Sequence, residues 1–345
     1  MNKKIYLIRS RKTNFGGAEN YLLRLSKGLT SLGVEHQIIY SKLPKFLPSW
    51  LRVLLFNLQL TILKGEKFYL SLERISSPNV YRAGDGVHKA FLEIEKKSSL
   101  NPLHIVYLFL EKQCFKNSKK IIVNSIMVMK EIQMHYGISE KKIKVIYNGF
   151  NPVDLDYSDS FNKISKEFNI SKNEHILLYV GSGFKRKGVA DFLRIVSKLN
   201  DKKFKAFVIG KDSNINNYKK IAKEFLIDKK VIFTGPRVDV NHFYNISDIF
   251  IFPTHYEPFG NVVLEAMSYG NAVFTTMNNG ASEIIDSDFV MKTPKDDSVV
   301  NKIRVLLDNP SRLAEIKTIN LELSKNFSIE KNVSEVMKVI NETIN

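Results

Sequence analysis

Cysteine is nearly absent from this chain of 345 residues. The single cysteine, Cys114, cannot form an internal disulfide, and this favours a reducing, cytoplasmic compartment. The sequence also lacks internal repeats and low-complexity tracts, which excludes solenoid and fibrous folds. Its first residues place basic side chains around a very short apolar run, so they predict a β-strand and not a signal peptide.

Long apolar runs and metal-ligand patterns are also missing. The most apolar segment, residues 50–63, contains Arg52, Asn57 and Gln59 and is shorter than the ~20 residues that a transmembrane helix needs. The seven histidines form no pair at metal-ligand spacing with a third ligand nearby. We therefore expect neither a transmembrane helix nor a bound metal.

Acidic residues are scarce in one half only. Residues 1–150 hold 25 Lys and Arg against 10 Asp and Glu, a net +15, whereas residues 151–345 hold 27 against 25, a net +2. The imbalance predicts that the first half meets an anionic partner, either a membrane surface, a phosphorylated acceptor or nucleic acid. Residues 50–63 and 89–120 are either packing helices or amphipathic helices that lie on an anionic bilayer.

The order of elements predicts two α/β domains. The chain is too long for one ordinary core, and strand patterns alternate with helical patterns along both halves, which is typical of parallel sheets covered by helices. A turn-rich, acidic segment that begins at Asn148 marks the boundary, and a helical pattern covers the last residues from about Ile329. The predicted strands are residues 3–10, 36–41, 119–125, 143–147, 175–182, 204–210, 229–235, 248–254 and 271–276.

A glycine-rich basic loop, residues 181–188 (GSGFKRKG), follows one of these strands and precedes a helix. It is not a dinucleotide-binding fingerprint, because Arg186 stands where a glycine is needed, and it is not a P-loop, because Val189 follows Gly188. Backbone amides, the helix dipole and the cationic side chains favour an anion here. The alternative is a solvated basic turn.

Two glutamates form the sharpest pattern. Glu257 follows a buried strand and precedes a helix, where ligands bind in open α/β sheets. Glu265 comes eight residues later, about 80° round a helix drawn through both residues. It interrupts an apolar stripe, and a buried carboxylate needs a partner, which either a ligand hydroxyl pair or a salt bridge would supply.

A third candidate is the segment from Tyr81 to His88 (YRAGDGVH), in which small residues flank Asp85 and leave its carboxylate accessible. The alternative is a glycine-rich turn with a capping aspartate. The spacings Asp154/Asp156 and Asp286/Asp288 resemble a D-x-D metal motif, but they occur in turns and we discount them.

Five segments in order resemble the family 4 retaining glycosyltransferases, which have the GT-B fold. EPFGNVVLEAMSYGNAV is similar to the family's E-x7-E signature, and FGGAENYLLRL, VIYNGFNP, VGSGFKRKG and FSIEKNVSEVMKVI resemble four further family segments. The resemblance implies two Rossmann-like domains that face each other across a central cleft. These would be an acceptor-binding domain (1–155), a nucleotide-sugar-binding domain (156–328) and a C-terminal helix (329–345) that returns to the first domain.

The resemblance also implies roles for individual residues. Glu265 would bind the donor ribose hydroxyls and Glu257 would face the donor sugar. Lys187 would hold the diphosphate, with Arg186 in place of the family's usual arginine, since Ser182 stands at that position. The other implied donor contacts come from backbone groups of Phe259, Gly260, Asn261, Gly16 and Gly17.

The segment that contains Asp85 and His88 is similar to the corresponding loop of lipopolysaccharide-core glycosyltransferases. The resemblance implies that Asp85 occupies the catalytic site, and His88 could serve with it or instead of it. A basic, membrane-touching region follows in those relatives, and residues 89–120 have that character.

The predicted function is transfer of a hexose-type sugar from a nucleotide-diphosphate sugar with retention of configuration. The favoured donor is a UDP sugar, and no metal or other cofactor is expected. The expected acceptor is a saccharide, lipid-linked as in a lipopolysaccharide core, at the inner face of the plasma membrane. The alternatives are a GT-B sugar-nucleotide epimerase, a dinucleotide-dependent oxidoreductase, for which no G-x-G-x-x-G is present, and a basic nucleic-acid-binding protein, for which no recognition motif is present.

Overall fold

The computed structural model of the protein describes residues 4–11 and 17–344. It divides the chain into two compact units, unit 1 (residues 1–149 and 329–345) and unit 2 (residues 150–328). The first boundary lies a few residues before the predicted one, after 155. The reason is that Phe150 N–H donates to the Phe327 carbonyl (2.9 Å) and Val153 N–H donates to the Tyr269 hydroxyl (3.0 Å), which ties this segment to unit 2.

Unit 1 is built on one parallel sheet with the strand order β2-β1-β3-β4-β5-β6. Its strands are β1 (Ile5–Arg9), β2 (His36–Tyr40), β3 (Phe68–Ser71), β4 (Val80–Arg82), β5 (Lys120–Val123) and β6 (Ile143–Val145). The helices between them are α1 (Gly17–Ser31), α2 (Ser49–Ile62), α3 (His88–Ile94), α4 (Pro102–Asn117) and α5 (Ile126–Tyr136).

Unit 2 carries a second six-stranded parallel sheet with the order β12-β11-β10-β7-β8-β9. Its strands are β7 (His175–Val180), β8 (Phe204–Ile209), β9 (Val231–Gly235), β10 (Ile249–Phe252), β11 (Ala272–Thr276) and β12 (Val290–Met291). Its helices are α6 (Tyr157–Phe168), α7 (Val189–Ser197), α8 (Ile215–Glu224), α9 (Val240–Ile246), α10 (Asn261–Ser268), α11 (Ser298–Asp308) and α12 (Pro310–Ser324).

The last helix, α13 (Ile329–Ile344), belongs to unit 1. Its buried face, which includes Val333, Val336 and Ile340, joins the core formed by the apolar face of α1. The two helices approach closely at Gly28, where an added Cβ would lie 2.6 Å from Cγ2 of Val333. The helical spacing of leucines in α1 therefore marks the surface on which α13 packs.

The parallel α/β architecture confirms the predicted fold class. Every strand named from the sequence is present, and β3, β4 and β12, which have two to four residues each, were not predicted. The segments 50–63 and 89–120 fold as α2 and as α3 with α4. Across residues 4–11 and 17–344, no helix combines the length and the apolar character that would let it cross a membrane.

Candidate active site

The strand order of unit 2 creates a crevice at the carboxyl ends of β7 and β10. These strands are neighbours in the sheet although β8 and β9 separate them in sequence, so their connections leave in opposite directions. Ligands of open α/β sheets bind at such a point. The loop 181–188 follows β7 and the loop 253–260 follows β10, so two segments singled out from the sequence meet here.

The two loops are joined through their backbones. The carbonyl of Arg186 accepts hydrogen bonds from His255 N–H (2.9 Å) and from the Thr254 hydroxyl (3.2 Å). Gly188 has φ = +76°, and a Cβ there would lie 1.9 Å from the Pro253 carbonyl oxygen. Because only glycine permits both this conformation and this approach, Gly188 determines how the basic loop contacts the loop after β10.

Glu257 lies between the two cations of the basic loop. Its Oε2 is 2.9 Å from Nη1 of Arg186 and 3.1 Å from Nζ of Lys187, and its side chain is 17% exposed. Burial alone would raise its pKa, but the charges of Lys187 and Arg186 outweigh burial and hold the pKa below its ordinary value. The carboxylate is therefore ionised and keeps both cations in the crevice.

The structure corrects the helical relation between the two glutamates. Helix α10 begins at Asn261, after Gly260 at the N-cap position, so Glu257 precedes the helix and the 80° angle derived from the sequence was wrong. Glu257 instead follows the loop backbone, where its N–H donates to the Asn278 carbonyl and its own carbonyl accepts from Gly280 N–H, both at 3.0 Å. The carboxylate is thus positioned by β11 and the turn after it.

Glu265 and the residues just before α10 lie at the same carboxyl end of the sheet. Glu265 is half-buried and accepts a hydrogen bond from the hydroxyl of the fully buried Tyr244 (3.1 Å). Phe259 is buried, and Gly260 has φ = +78° with the side chain of Asn279 only 2.6 Å from where a Cβ would be. The N-cap residue, Gly260, has no side chain that could cap α10, and a helix N-terminus favours an anion.

In unit 1, Asp85 lies in the turn after β4. Its side chain is 44% exposed, and its Oδ2 lies 3.3 Å from Nη1 of Arg9, the last residue of β1. The same Arg9 nitrogen lies 3.0 Å from Oε1 of Glu73, which follows β3. Although burial disfavours the charged guanidinium, the carboxylates of Asp85 and Glu73 raise the pKa of Arg9 above its ordinary value.

His88 occupies a different environment from Asp85. It is only 9% exposed, its Nε2 lies 3.1 Å from Nδ1 of His104, and Phe91 and Tyr107 pack on its ring. Burial, together with the charge of the nearby Arg74, lowers its pKa to about 4, so the ring is neutral at pH 7. No hydrogen bond joins the Asp85 and His88 side chains, both of which belong to the described residues.

A fully buried carboxylate, Glu111, positions the segment between Asp85 and His88. Its Oε1 accepts from His88 N–H (2.7 Å) and from Nε of Arg74 (2.8 Å), and its Oε2 accepts from the Tyr136 hydroxyl (2.6 Å). The Arg74 guanidinium also donates to the Gly86 carbonyl (3.0 Å). The turn that presents Asp85 is therefore fixed from within unit 1.

Both glycines of the first loop were predicted to contact the donor. Gly16 lies outside the described residues. Gly17 is the first residue of α1 and is exposed.

Two family models match the chain. Residues 160–322 match the model described as Glycosyl transferases group 1, and residues 85–154 match the model described as Glycosyltransferase Family 4. The first match contains the basic loop, Glu257 and Glu265, and the second begins at Asp85. The chain belongs to the glycosyltransferases.

Named relatives and solved structures agree with this assignment. The lipopolysaccharide glucosyltransferase WaaG of Escherichia coli is 27% identical over 222 residues, which is 60% of this chain and 59% of WaaG. The aligned parts span only about half the length of the first curated relatives. A crystal structure of WaaG superposes with a TM-score of 0.81 at 19% identity, covering 97% of this chain and 99% of WaaG.

HepE of Anabaena, solved in complex with UDP and glucose, superposes with a TM-score of 0.77 at 16% identity and covers 99% of this chain and 100% of HepE. Since identities this low establish the fold alone, these structures show that this glycosyltransferase has the GT-B fold.

Several residues of these sites had no signal in the sequence. Arg9 lies within the predicted strand 3–10, and Glu73 follows β3, which was not predicted. His255, whose Nε2 lies 2.9 Å from Oδ2 of the buried Asp191, belongs to the loop after β10 but was given no role. Of these three, His255 alone directly follows a predicted strand (248–254), and that position could have identified it.

The discounted D-x-D spacings have structural roles. Asp156 caps α6 by accepting from Asp159 N–H, and Asp286 accepts from Asp288 N–H at the start of a short 3₁₀ turn. In the part of the chain that the structure describes, no three His, Cys, Asp or Glu side chains form a group that could hold a metal ion. Cys114 is buried, and burial raises the pKa of its thiol to about 12.

Proposed function

We propose that this glycosyltransferase moves a hexose-type sugar from a nucleotide-diphosphate sugar, of UDP type, to a saccharide acceptor with retention of configuration. The observation that carries the proposal is the meeting of Arg186, Lys187 and Glu257 in the crevice of unit 2. Two cations at the carboxyl ends of β7 and β10 offer a site for a diphosphate. The complex of the fold relative HepE with UDP and glucose supports this choice of donor.

The donor would be held by the residues of the crevice. Lys187, Arg186 and the amides of Phe259, Gly260 and Asn261 would stabilise the charge that develops on the leaving diphosphate. Preorganised donors of this kind are typically worth about 2.7–4 kcal/mol each. Because these groups supply positive charge, we propose that the reaction needs no metal. Glu265 would accept hydrogen bonds from the ribose hydroxyls.

Asp85 is the residue of unit 1 that we assign to the acceptor. Its carboxylate is accessible, whereas His88 is buried, neutral and bonded to His104, so we assign His88 to positioning the Asp85 turn. In the proposed reaction the acceptor oxygen bonds to the anomeric carbon while the bond from that carbon to the diphosphate breaks. Asp85 would orient the acceptor hydroxyl, and the departing phosphate oxygen would take its proton.

The proposed acceptor is lipid-linked, as in a lipopolysaccharide core, and reached from the cytoplasmic face of the membrane. Support comes from the net charge of +15 in the first half and from apolar side chains that α2 and α4 leave exposed, such as Ile62, Ile105 and Phe109. Similarity to WaaG, named as a lipopolysaccharide glucosyltransferase, agrees with it.

Co-sedimentation with vesicles tests the membrane part. The protein should sediment with anionic vesicles, less so at high salt, and the double variant Ile105→Ser/Phe109→Ser should sediment less. Val305→Ser removes an equally exposed apolar side chain from unit 2 and should have no effect. If sedimentation depends neither on anionic lipid nor on the salt concentration, membrane association is refuted.

Thermal shifts with UDP, GDP, ADP, CMP and NAD, each with and without EDTA, test the donor. A ligand at a hundred times its Kd stabilises by about 2.7 kcal/mol, which corresponds to a rise in Tm of about 2–4 °C per kcal/mol. We expect a shift with UDP that EDTA does not alter. A shift with NAD alone, or with none of them, would refute the proposal. Release of an epimerised nucleotide sugar in the absence of acceptor would instead identify an epimerase.

A further inference from the structure

A pocket of about 550 Å³ lies in unit 1, beside the residues that hold Asp85. The residues after β1, the residues after β2, the first turns of α2 and Tyr107 of α4 form it. This volume is in the range of sites that bind small molecules. The lining residues are Ser10, Arg11, Tyr40, Ser41, Leu43, Lys45, Ser49, Arg52, Val53, Phe56 and Tyr107.

The charge of the pocket is positive. Among the described residues, Arg11, Lys45 and Arg52 line it, and no carboxylate does. Within residues 4–11 and 17–344, none of these three cations forms an ion pair. The Nε atom of Arg52 is buried and has no hydrogen-bond partner among the described residues. The charge of all three cations is therefore left without a described counter-charge, and an anionic ligand would supply one.

The N-terminus of α2 adds to the positive electrostatic potential of the pocket. Its N-cap position is held by Pro48, and no side chain of the described residues caps the helix, which runs for 14 residues from Ser49. The first-turn amides and the dipole of such a helix favour an anion. Since Ser49 and Arg52 both line the pocket, the helix terminus and the side-chain cations act at one place.

Two carboxylates contact lining residues of the pocket, and both already accept hydrogen bonds. Glu73 accepts from the Ser10 hydroxyl (2.8 Å) and pairs with Arg9, and Glu19 accepts from the Tyr40 hydroxyl (2.8 Å). These two carboxylates hold the hydroxyl groups of Ser10 and Tyr40 in place, and neither carboxylate is a lining residue of the pocket. Apart from Ser41, the remaining wall is apolar and aromatic.

We infer that this pocket binds a phosphate monoester carried by the acceptor sugar. Three cations and a helix N-terminus suit a doubly charged group better than a single carboxylate, and the apolar wall offers contact to the carbon skeleton. The inference rests on the proposed function. It also gives the acceptor a position relative to Asp85, because Ser10 bonds to Glu73, and Arg9 joins Glu73 to Asp85.

The test is calorimetric titration of the full chain with glucose 6-phosphate at constant ionic strength, with the donor site filled by saturating UDP. We expect binding of glucose 6-phosphate that exceeds binding of glucose and of glucuronate. Arg52→Gln and Lys45→Gln should each weaken it about tenfold or more, as expected for the loss of a charge-assisted hydrogen bond. Lys130→Gln removes an exposed lysine of α5 in the same unit and should leave binding unchanged.

Three results would overturn the inference: no binding of glucose 6-phosphate, equal weakening by Lys130→Gln, or glucuronate binding as tight as that of the phosphate. Lys45 is exposed, so its variant reports on the pocket even if Arg52→Gln fails to fold. If UDP itself does not bind, the proposed function fails, and titration without UDP then tests the pocket separately. Titration with a short-chain phosphatidic acid distinguishes a lipid headgroup from a sugar phosphate, since the tighter ligand identifies the source.

Discussion

The guanidinium of Arg186 and the carboxylate of Glu257 lie 2.9 Å apart, although 71 residues separate them in the sequence. Lys187 contacts the same carboxylate oxygen, so one negative charge holds two positive ones in place. A diphosphate that enters the crevice would meet cations whose positions are already fixed, and preorganisation of this kind lowers a barrier.

Replacement of Lys187 by alanine should therefore lower kcat by about 10²–10³ and weaken UDP binding, because one preorganised donor is lost. The control is Lys185→Ala, which removes an exposed lysine of the same loop and should leave both quantities unchanged. Steady-state kinetics and thermal shifts measure them. Equal effects of the two substitutions would show that the loop acts only through its overall charge.

Replacement of Asp85 by asparagine should lower kcat by about 10²-fold, the typical cost of a misplaced reacting group, while the thermal shift with UDP stays the same. The fold should persist, since Arg9 keeps its ion pair with Glu73. Glu66→Gln, an exposed site in the same unit, serves as control. An unchanged transfer rate in Asp85→Asn would remove Asp85 from the mechanism.

His88 should make the stability of unit 1 depend on pH. Burial and Arg74 lower its pKa from 6.5 to about 4, so the folded state binds the proton less readily than the unfolded state. Its contribution is fully present above pH 6.5 and is lost as the pH falls towards 4, up to about 3 kcal/mol.

His88→Gln cannot titrate at this position, so its free energy of unfolding should fall less than that of the wild type between pH 6.5 and 4. Denaturant titrations at a series of pH values measure the difference. Parallel curves for the two proteins would mean that His88 ionises as easily in the folded chain as in the unfolded one.

Gly188→Ala should destabilise unit 2 more than Gly183→Ala. Both glycines have similar positive φ angles, +76° and +78°, so the conformational cost is matched. An added Cβ at 188 would lie 1.9 Å from a backbone oxygen, whereas at 183 nothing lies within 4 Å. Overpacking of this kind typically costs about 1–3 kcal/mol, and thermal unfolding of the two variants measures it. Equal Tm values would show that the backbone after β10 yields at little cost.

Long apolar strands were predictable because their signal is local. β7 and β10 are continuous apolar runs followed by glycine or proline, so both strands, and the loops after them, could be predicted. β3 and β4 have four and three residues, too few to show a period, so two of the six strands of the unit 1 sheet, the ones that precede Glu73 and Asp85, were not predicted.

Contacts between distant residues left no trace in the sequence. Arg9 and Asp85 are 76 residues apart, and only the order β1-β3-β4 in the sheet brings their strand ends together. The angle between Glu257 and Glu265 was wrong because the helix begins at Asn261, four residues after Glu257, with Gly260 in a left-handed conformation at its N-cap position.

The position of α13 has a consequence for the order in which the chain can fold on the ribosome. Unit 1 is interrupted by the whole of unit 2, and the helix that covers Leu25 and Leu29 of α1 is translated after residue 328. Until α13 has been translated, it cannot cover the apolar face of α1, whereas all the strands of unit 2 have been translated before α13. A nascent chain therefore carries an incomplete first unit throughout the synthesis of the second, and chaperones that recognise exposed apolar helices would find their target there.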